Sequence, residues 1–290
     1  MKFHALSAVT AGALFMAGNS IVSAMDGIIV RLLAGEVHPL EIVFFRNFFS
    51  LIAIYAIFPR SKLHGSGKTR FFWIHSTRAV VKLLSLVAGF MAVTLMPLAS
   101  ATAIAFTMPL FVMLGSVLFL GEKFFTARVT ALLLGFAGVL IVLQPGVETL
   151  DVGVLWALAG AIGLATVALL MKVSAGREDP LRIAWLNLAI TVPVALLICL
   201  PVWQMPSLYA LGLMALQGVG GMLAQLAFAR AMKLADASLL VVVDFIRLPL
   251  ALFFGLFLFG EPVRLAVVVG GVVIFMAILM LFHREGRRRP

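Results

Sequence analysis

Six ionisable residues stand inside stretches that are otherwise apolar: Asp26, Arg46, Arg78, Lys82, Asp244 and Arg247. A charge at the centre of a bilayer costs ~3 kcal/mol on insertion scales, so such residues normally face the interior of a helix bundle and meet a partner there. Asp244 and Arg247 are three residues apart, a spacing that predicts pairing on one helix face. Arg78 and Lys82 are four apart and put two like charges on one face, which calls for compensation by Asp26, Asp244 or an anionic group on a solute. Arg46 sits among Phe44, Phe45, Phe48 and Phe49, with Asn47 beside it. Four cations against two acids point to an anionic or zwitterionic solute. Asn47, Asn187, Gln217 and Gln225 add neutral groups that could hydrogen-bond such a solute or equally join helix to helix. The plainer alternative for the charges is structural ion pairing, or shallow placement with the head group reaching the interface, for which Arg78 is the best case.

These residues need a scaffold that holds them in a membrane. The chain is 63% hydrophobic, and its apolar runs are broken only by short polar segments. A span requires ~20 mostly apolar residues, which predicts ten helices near 5–33, 39–58, 72–95, 98–120, 126–144, 151–173, 180–200, 207–230, 237–259 and 264–282. Long unbroken apolar runs argue for helices, since barrel strands would alternate over ~10 residues. The segment Met1 to Ala24 imitates a signal peptide, but its apolar run continues to Leu33, so it is read as a retained first span. Cys199 is the sole cysteine and is read as a small buried residue.

The net charge of +10 is a topology signal before it is a binding signal, and no nucleic acid is expected as a partner. With the N-terminus inside, sixteen Lys and Arg residues fall on the cytoplasmic side, including Arg60, Lys62, Lys68 and Arg70 and the tail Arg284, Arg287, Arg288 and Arg289. Arg31 and Arg264 alone fall on the other side. Basic residues in short loops stay cytoplasmic, so both termini are expected there, in a bacterial inner membrane surrounded by lipid.

The chain also repeats itself at about 140 residues. Asn47 corresponds to Asn187 and Pro109 to Pro249; Gly121-Glu122 and Gly260-Glu261 close the fourth and ninth spans, and Ala99-Ser100 and Ala237-Ser238 open them. Five spans per half is odd, so the second half must enter the membrane in the opposite orientation, and inverted repeats place a substrate site near the midplane between them. The expected units are residues 1–146 and 147–290. Gly153, Ala157, Ala161 and Ala165 form a small-residue stripe read as close helix packing. The sequence carries no phosphate-cradling glycine loop with its lysine, no zinc-protease helix and no nucleophile elbow. The histidines, His4, His38, His64, His75 and His283, fall in tails, loops or span ends and form no cluster suited to a metal.

The runs Pro97-Leu98-Ala99-Ser100-Ala101-Thr102, Pro109-Leu110-Phe111 and Leu120-Gly121-Glu122, with Phe45-Arg46 and Gly135-x-x-Gly138-Val-Leu-Ile-Val, resemble the EamA module of the drug/metabolite transporter superfamily. A second copy runs through Ala237-Ser238, Pro249 and Phe259-Gly260-Glu261-Pro262, so the resemblance covers nearly the whole chain. It implies a ten-helix bundle with cytoplasmic termini, alternating access and no nucleotide hydrolysis; no cofactor is expected. It also implies substrates of the riboflavin, S-adenosylmethionine or amino-acid type. Leu186 stands where the first module has Arg46, so an arginine-based site would be one-sided. The reading is therefore an all-α integral membrane secondary transporter of a small polar metabolite, monomeric or homodimeric and not an enzyme. Its candidate substrate site is Asp26, Arg46, Asn47, Arg78, Lys82, Asn187, Gln217, Asp244 and Arg247. The alternative is an integral-membrane lipid-modifying enzyme, which would need clustered acids or histidines at a membrane face; the one adjacent acidic pair, Glu178-Asp179, reads better as exposed loop charge.

Overall fold

The computed structural model of the chain describes residues 8–59, 72–121, 126–144, 151–173, 180–234, 240 and 243–286. The basic loop residues Arg60 to Arg70, Lys123 and Arg177, the tail from Arg287, and Glu122, Glu178-Asp179 and Ala237-Ser238 lie outside the described residues. All regular structure among the described residues is helical. The helices are α1 (Ala8–Leu32), α2 (Pro39–Ile57), α3 (Phe72–Leu95), α4 (Leu98–Ala105), α5 (Met108–Leu120) and α6 (Thr126–Leu143). They continue as α7 (Val152–Val173), α8 (Pro180–Cys199), α9 (Leu208–Leu234), α10 (Arg247–Phe259) and α11 (Leu265–Gly286). A 3-10 turn, Leu200–Val202, follows α8. Seven stretches are long and apolar enough to cross a membrane, from Thr10–Leu32 to Leu208–Met232. Leu133–Val142, Arg247–Phe259 and Leu265–Met280 are shorter apolar helices.

Local chemistry explains where these helices begin and end. At the start of α2, Pro39 occupies the first helical position, where its missing N–H is no loss. The Leu40 N–H donates to His38 Nδ1, and the His38 N–H donates to Glu41 Oε2. This reciprocal cap satisfies two otherwise orphaned donors. Helices α5 and α10 both stop at a glycine in the left-handed region, Gly121 at φ 66° and Gly260 at φ 63°, a conformation that a side chain resists.

The fourth span differs from its expected form. Residues 98–120 are not one helix but two, parted by a turn at Phe106 and Thr107. Pro109 has no N–H for the Ala105 carbonyl, so the ladder cannot run through. The Thr107 hydroxyl instead donates to the Ile104 carbonyl at 2.6 Å. The ninth span breaks in the same way at Phe245 and Ile246, ahead of Pro249. The two break phenylalanines meet, with Phe106 and Phe245 ring centroids 5.2 Å apart.

Helix packing follows a paired pattern. Helix α1 packs on α9 and α7 on α3; α2 packs on α9 and α8 on α3; α5 packs on α7 and α10 on α1. Exchanging the two halves of the chain converts each of these pairings into its partner. Helices α2 and α8 pack on each other, as do α6 and α11. The α6–α11 contact is backbone-close: a Cβ at Gly138 would stand 2.8 Å from the Gly270 carbonyl oxygen, and one at Gly270 would stand 2.6 Å from that of Gly138. The small-residue stripe of α7 does pack tightly. Ala157, Ala161 and Ala165 are buried, and Cβ atoms at Gly153, Gly160 and Gly163 would all press on α3 residues or on Met96 just beyond.

Candidate functional site

Two polar clusters are strung along α1. The first is centred on Asp26, whose carboxylate accepts from Arg46 Nη2 of α2 at 2.8 Å. Both side chains are largely withdrawn from solvent, at 16% exposure each. The Arg46 Nε has no partner among the described residues. Gln217 of α9, 2% exposed, donates from Nε2 to the Asp26 main-chain oxygen at 3.2 Å, while its Oε1 is buried without a partner. Lys82 of α3 donates from Nζ to Gln225 Oε1 of α9 at 3.1 Å. The charges of Arg46 and Arg78 both bear on that ammonium. No carboxylate among the described residues pairs with it; Asp26 is bonded to Arg46 and Asp244 to Arg247. Arg46 and Lys82 thus present two cations on the packed helices α2 and α3, with one acid, Asp26, bonded to the first.

The second cluster lies about 9 Å further along α1, six residues at the helical rise. Ser20 donates to Asp244 Oδ1 at 2.7 Å, and Arg247 pairs with Asp244 Oδ2. The Arg247 guanidinium lies over the Phe106 ring, 5.0 Å from its centroid. The expected pair of Asp244 and Arg247 does form, but not on one face of a continuous helix. Asp244 precedes the break and Arg247 opens α10 after it, so the pair bridges the interruption.

The remaining predicted residues divide. Arg78 is 4% exposed, its side chain packed inside the protein. Asn47 and Asn187 are both buried, at matching positions of the packed pair α2 and α8. No hydrogen bond among the described residues joins either of them to the Asp26 cluster. Trp203, just past the 3-10 turn, lays its ring against Phe44 and Phe45 at 5.7 and 5.5 Å.

Sequence reasoning missed one constellation. Arg31, at the end of α1, donates from Nη1 to the Val93 and Thr94 carbonyls and pairs with Glu261 at 3.1 Å. Glu261 accepts from the Leu98 N–H at 2.9 Å. A cation thus caps the C-terminus of α3 and an anion the N-terminus of α4, both as the helix dipoles prefer. The signal was present in the repeated Gly-Glu doublet, but the doublet does not say what its glutamate reaches. A crevice lined by Pro97, Ser100, Ala251 and Leu256 lies beside Glu261 and includes none of the predicted site residues.

The model of the EamA-like transporter family matches residues 10–144 and again residues 151–283. The chain belongs to the EamA-like transporter family. This EamA protein is 25% identical over 267 residues to an S-adenosylmethionine uptake transporter of Rickettsia felis, covering 91% of this chain and 90% of that one. It is 32% identical over 245 residues to a riboflavin transporter of Vibrio cholerae, covering 82% of each. It is 28% identical to a pseudopaline exporter of Pseudomonas aeruginosa, covering 83% of this chain and 85% of that one. A solved crystal structure with 20% sequence identity shares the fold at a TM-score of 0.62, over 96% of this chain and 99% of its own. The EamA chain is thus a multi-pass membrane protein whose relatives are named as transporters of small metabolites, and nothing favours a lipid-modifying enzyme.

Proposed function

We propose that this EamA protein is a secondary transporter of a small polar organic metabolite with an anionic or zwitterionic group. It works by alternating access and does not act as an enzyme. The observation that carries the charge preference is Lys82. Its ammonium faces an amide oxygen, with Arg46 and Arg78 near and no acid among the described residues to neutralise it. The contact with Gln225 is open to the surroundings, so an anion can reach the ammonium, and docking there would give it the charge-assisted partner it lacks. The proposed site is Asp26, Arg46, Asn47, Arg78, Lys82, Asn187, Gln217, Asp244 and Arg247, between residues 1–146 and 147–290 as two inverted five-helix units. The pairing of α1 with α9 and of α7 with α3, exchanged by swapping the halves, supports that arrangement. So do the matched breaks at Phe106 and Phe245. Both termini would be cytoplasmic in an inner membrane.

The test is counterflow in proteoliposomes without nucleotide. Vesicles loaded with each member of a metabolite panel, spanning flavins, S-adenosylmethionine and amino acids, are diluted into a trace of the labelled compound. At least one anionic or zwitterionic member is expected to accumulate transiently above protein-free vesicles. Exchange confined to uncharged members would overturn the charge preference, and exchange of none would overturn the transport reading for these classes.

A further inference from the structure

One face of α9 touches three residues of the first cluster in turn. Gln217 reaches the Asp26 main chain, Gly221 lies under Arg46, and Gln225 holds Lys82. The spacing is four and four residues, one stripe on a helix. Gly221 is the informative member. A Cβ built there would stand 2.4 Å from Arg46 Nη2 and 2.9 Å from its Cζ. Nη2 is the atom that holds Asp26. The guanidinium therefore occupies the space where any other residue at 221 would carry its side chain. Gly218, one turn away, is a different case: its Cβ would meet the Arg46 main-chain oxygen at 2.6 Å and the Ser50 nitrogen at 3.0 Å. Backbone cannot yield, so Gly218 sets how closely α9 packs on α2. The tip of an arginine can yield, so the chain tolerates a methyl group at 221 and Arg46 moves instead.

We propose that Gly221 is a positioning residue for the transport site: its missing side chain seats the Arg46 guanidinium against Asp26, and the Gln217–Gly221–Gln225 stripe is the wall that the second half contributes to an anion-binding site. This rests on the proposed function for its ligand class. Its geometry does not, and can be tested without any substrate.

The first measurement is the melting temperature of purified protein in detergent. In an otherwise unaltered chain, Asp26→Asn removes the charge that Arg46 holds and is expected to lower the melting temperature. In Gly221→Ala the pair is already displaced, so adding Asp26→Asn is expected to lower it little further. Equal losses in both backgrounds would overturn the proposal, because contacts that are not coupled add. Gly212→Ala, on the same helix with nothing within 4 Å of the added atom, is the control and should leave the Asp26→Asn loss intact. The second measurement is exchange of whichever panel metabolite the unaltered protein carries. Gly221→Ala is expected to raise KM about tenfold with maximal rate retained, the loss of one hydrogen bond to a charged group. In an Arg46→Lys background, which lacks Nη2, the same substitution should raise KM no further. A KM shift of equal size in both backgrounds, or a fall in maximal rate alone, would overturn it. Counterflow failing for every panel member while the melting cycle shows coupling would sink the transport reading and leave the positioning role standing.

Discussion

The charges in this bundle were legible because hydrocarbon makes them conspicuous. Asp26, Arg46, Lys82 and Asp244 stand out in apolar runs, and the structure gives each of them a polar partner. Which residue meets which was not legible. Pairing depends on the rotational phase of each helix, and a 63% apolar chain offers little amphipathic contrast to fix that phase. Gly221 was invisible for a related reason: in the run Gly218-x-Gly220-Gly221 the letter does not say which atoms approach it. The Arg31–Glu261 pair makes its own expectation at this scale. Glu261→Gln removes one charge and weakens the cap on Leu98, and Arg31→Met exposes the Val93 and Thr94 carbonyls. Each should destabilise by about 1–3 kcal/mol, the price of an unsatisfied buried group. The double variant should lose less than the sum of the two single ones, since both remove the same pair. Thermal unfolding in detergent checks this, and additive losses would show two independent contacts.

At the scale of helices, length and hydropathy located the elements to within a few residues, as the agreement of 39–58 with Pro39–Ile57 shows. The prolines at 109 and 249 are plain in the sequence, but whether they bend or break their helices is not. That outcome is set by Thr107 and by the packing of Phe106 on Phe245, which are tertiary features. The α6–α11 contact gives a sharper expectation. Gly138→Ala and Gly270→Ala each place a methyl group under 3 Å from a backbone carbonyl oxygen of the other helix, where nothing flexible can give way. Either should cut the yield of monodisperse folded protein severalfold by size-exclusion chromatography. Gly18→Ala, with open space around it, should not. Normal yield in both variants would show that α6 and α11 do not pack this closely.

For the whole molecule, the sixteen-to-two division of basic residues gives the expected topology, in which the halves would be oppositely oriented. A reporter fused after Pro290 should be active only in its cytoplasmic form. A periplasmic signal there would remove the topology and the inverted repeat together. Duplication was legible as matched prolines and Gly-Glu doublets, and the family match over residues 10–144 and 151–283 repeats it. Substrate was not legible, because sequence matches of 25% to 32% reach proteins named for chemically different metabolites.

On the proposed function, Lys82 and Arg46 bind the charged group of the cargo. The most direct test is exchange by Lys82→Met and Arg46→Met in proteoliposomes, for the metabolite that the unaltered protein carries. Methionine keeps an apolar stem and removes the charge. Both variants should insert and elute as folded protein, and each should lose at least about tenfold in exchange, the scale of one charged hydrogen bond. Full exchange by both would contradict the account and return Lys82 and Arg46 to a purely structural role.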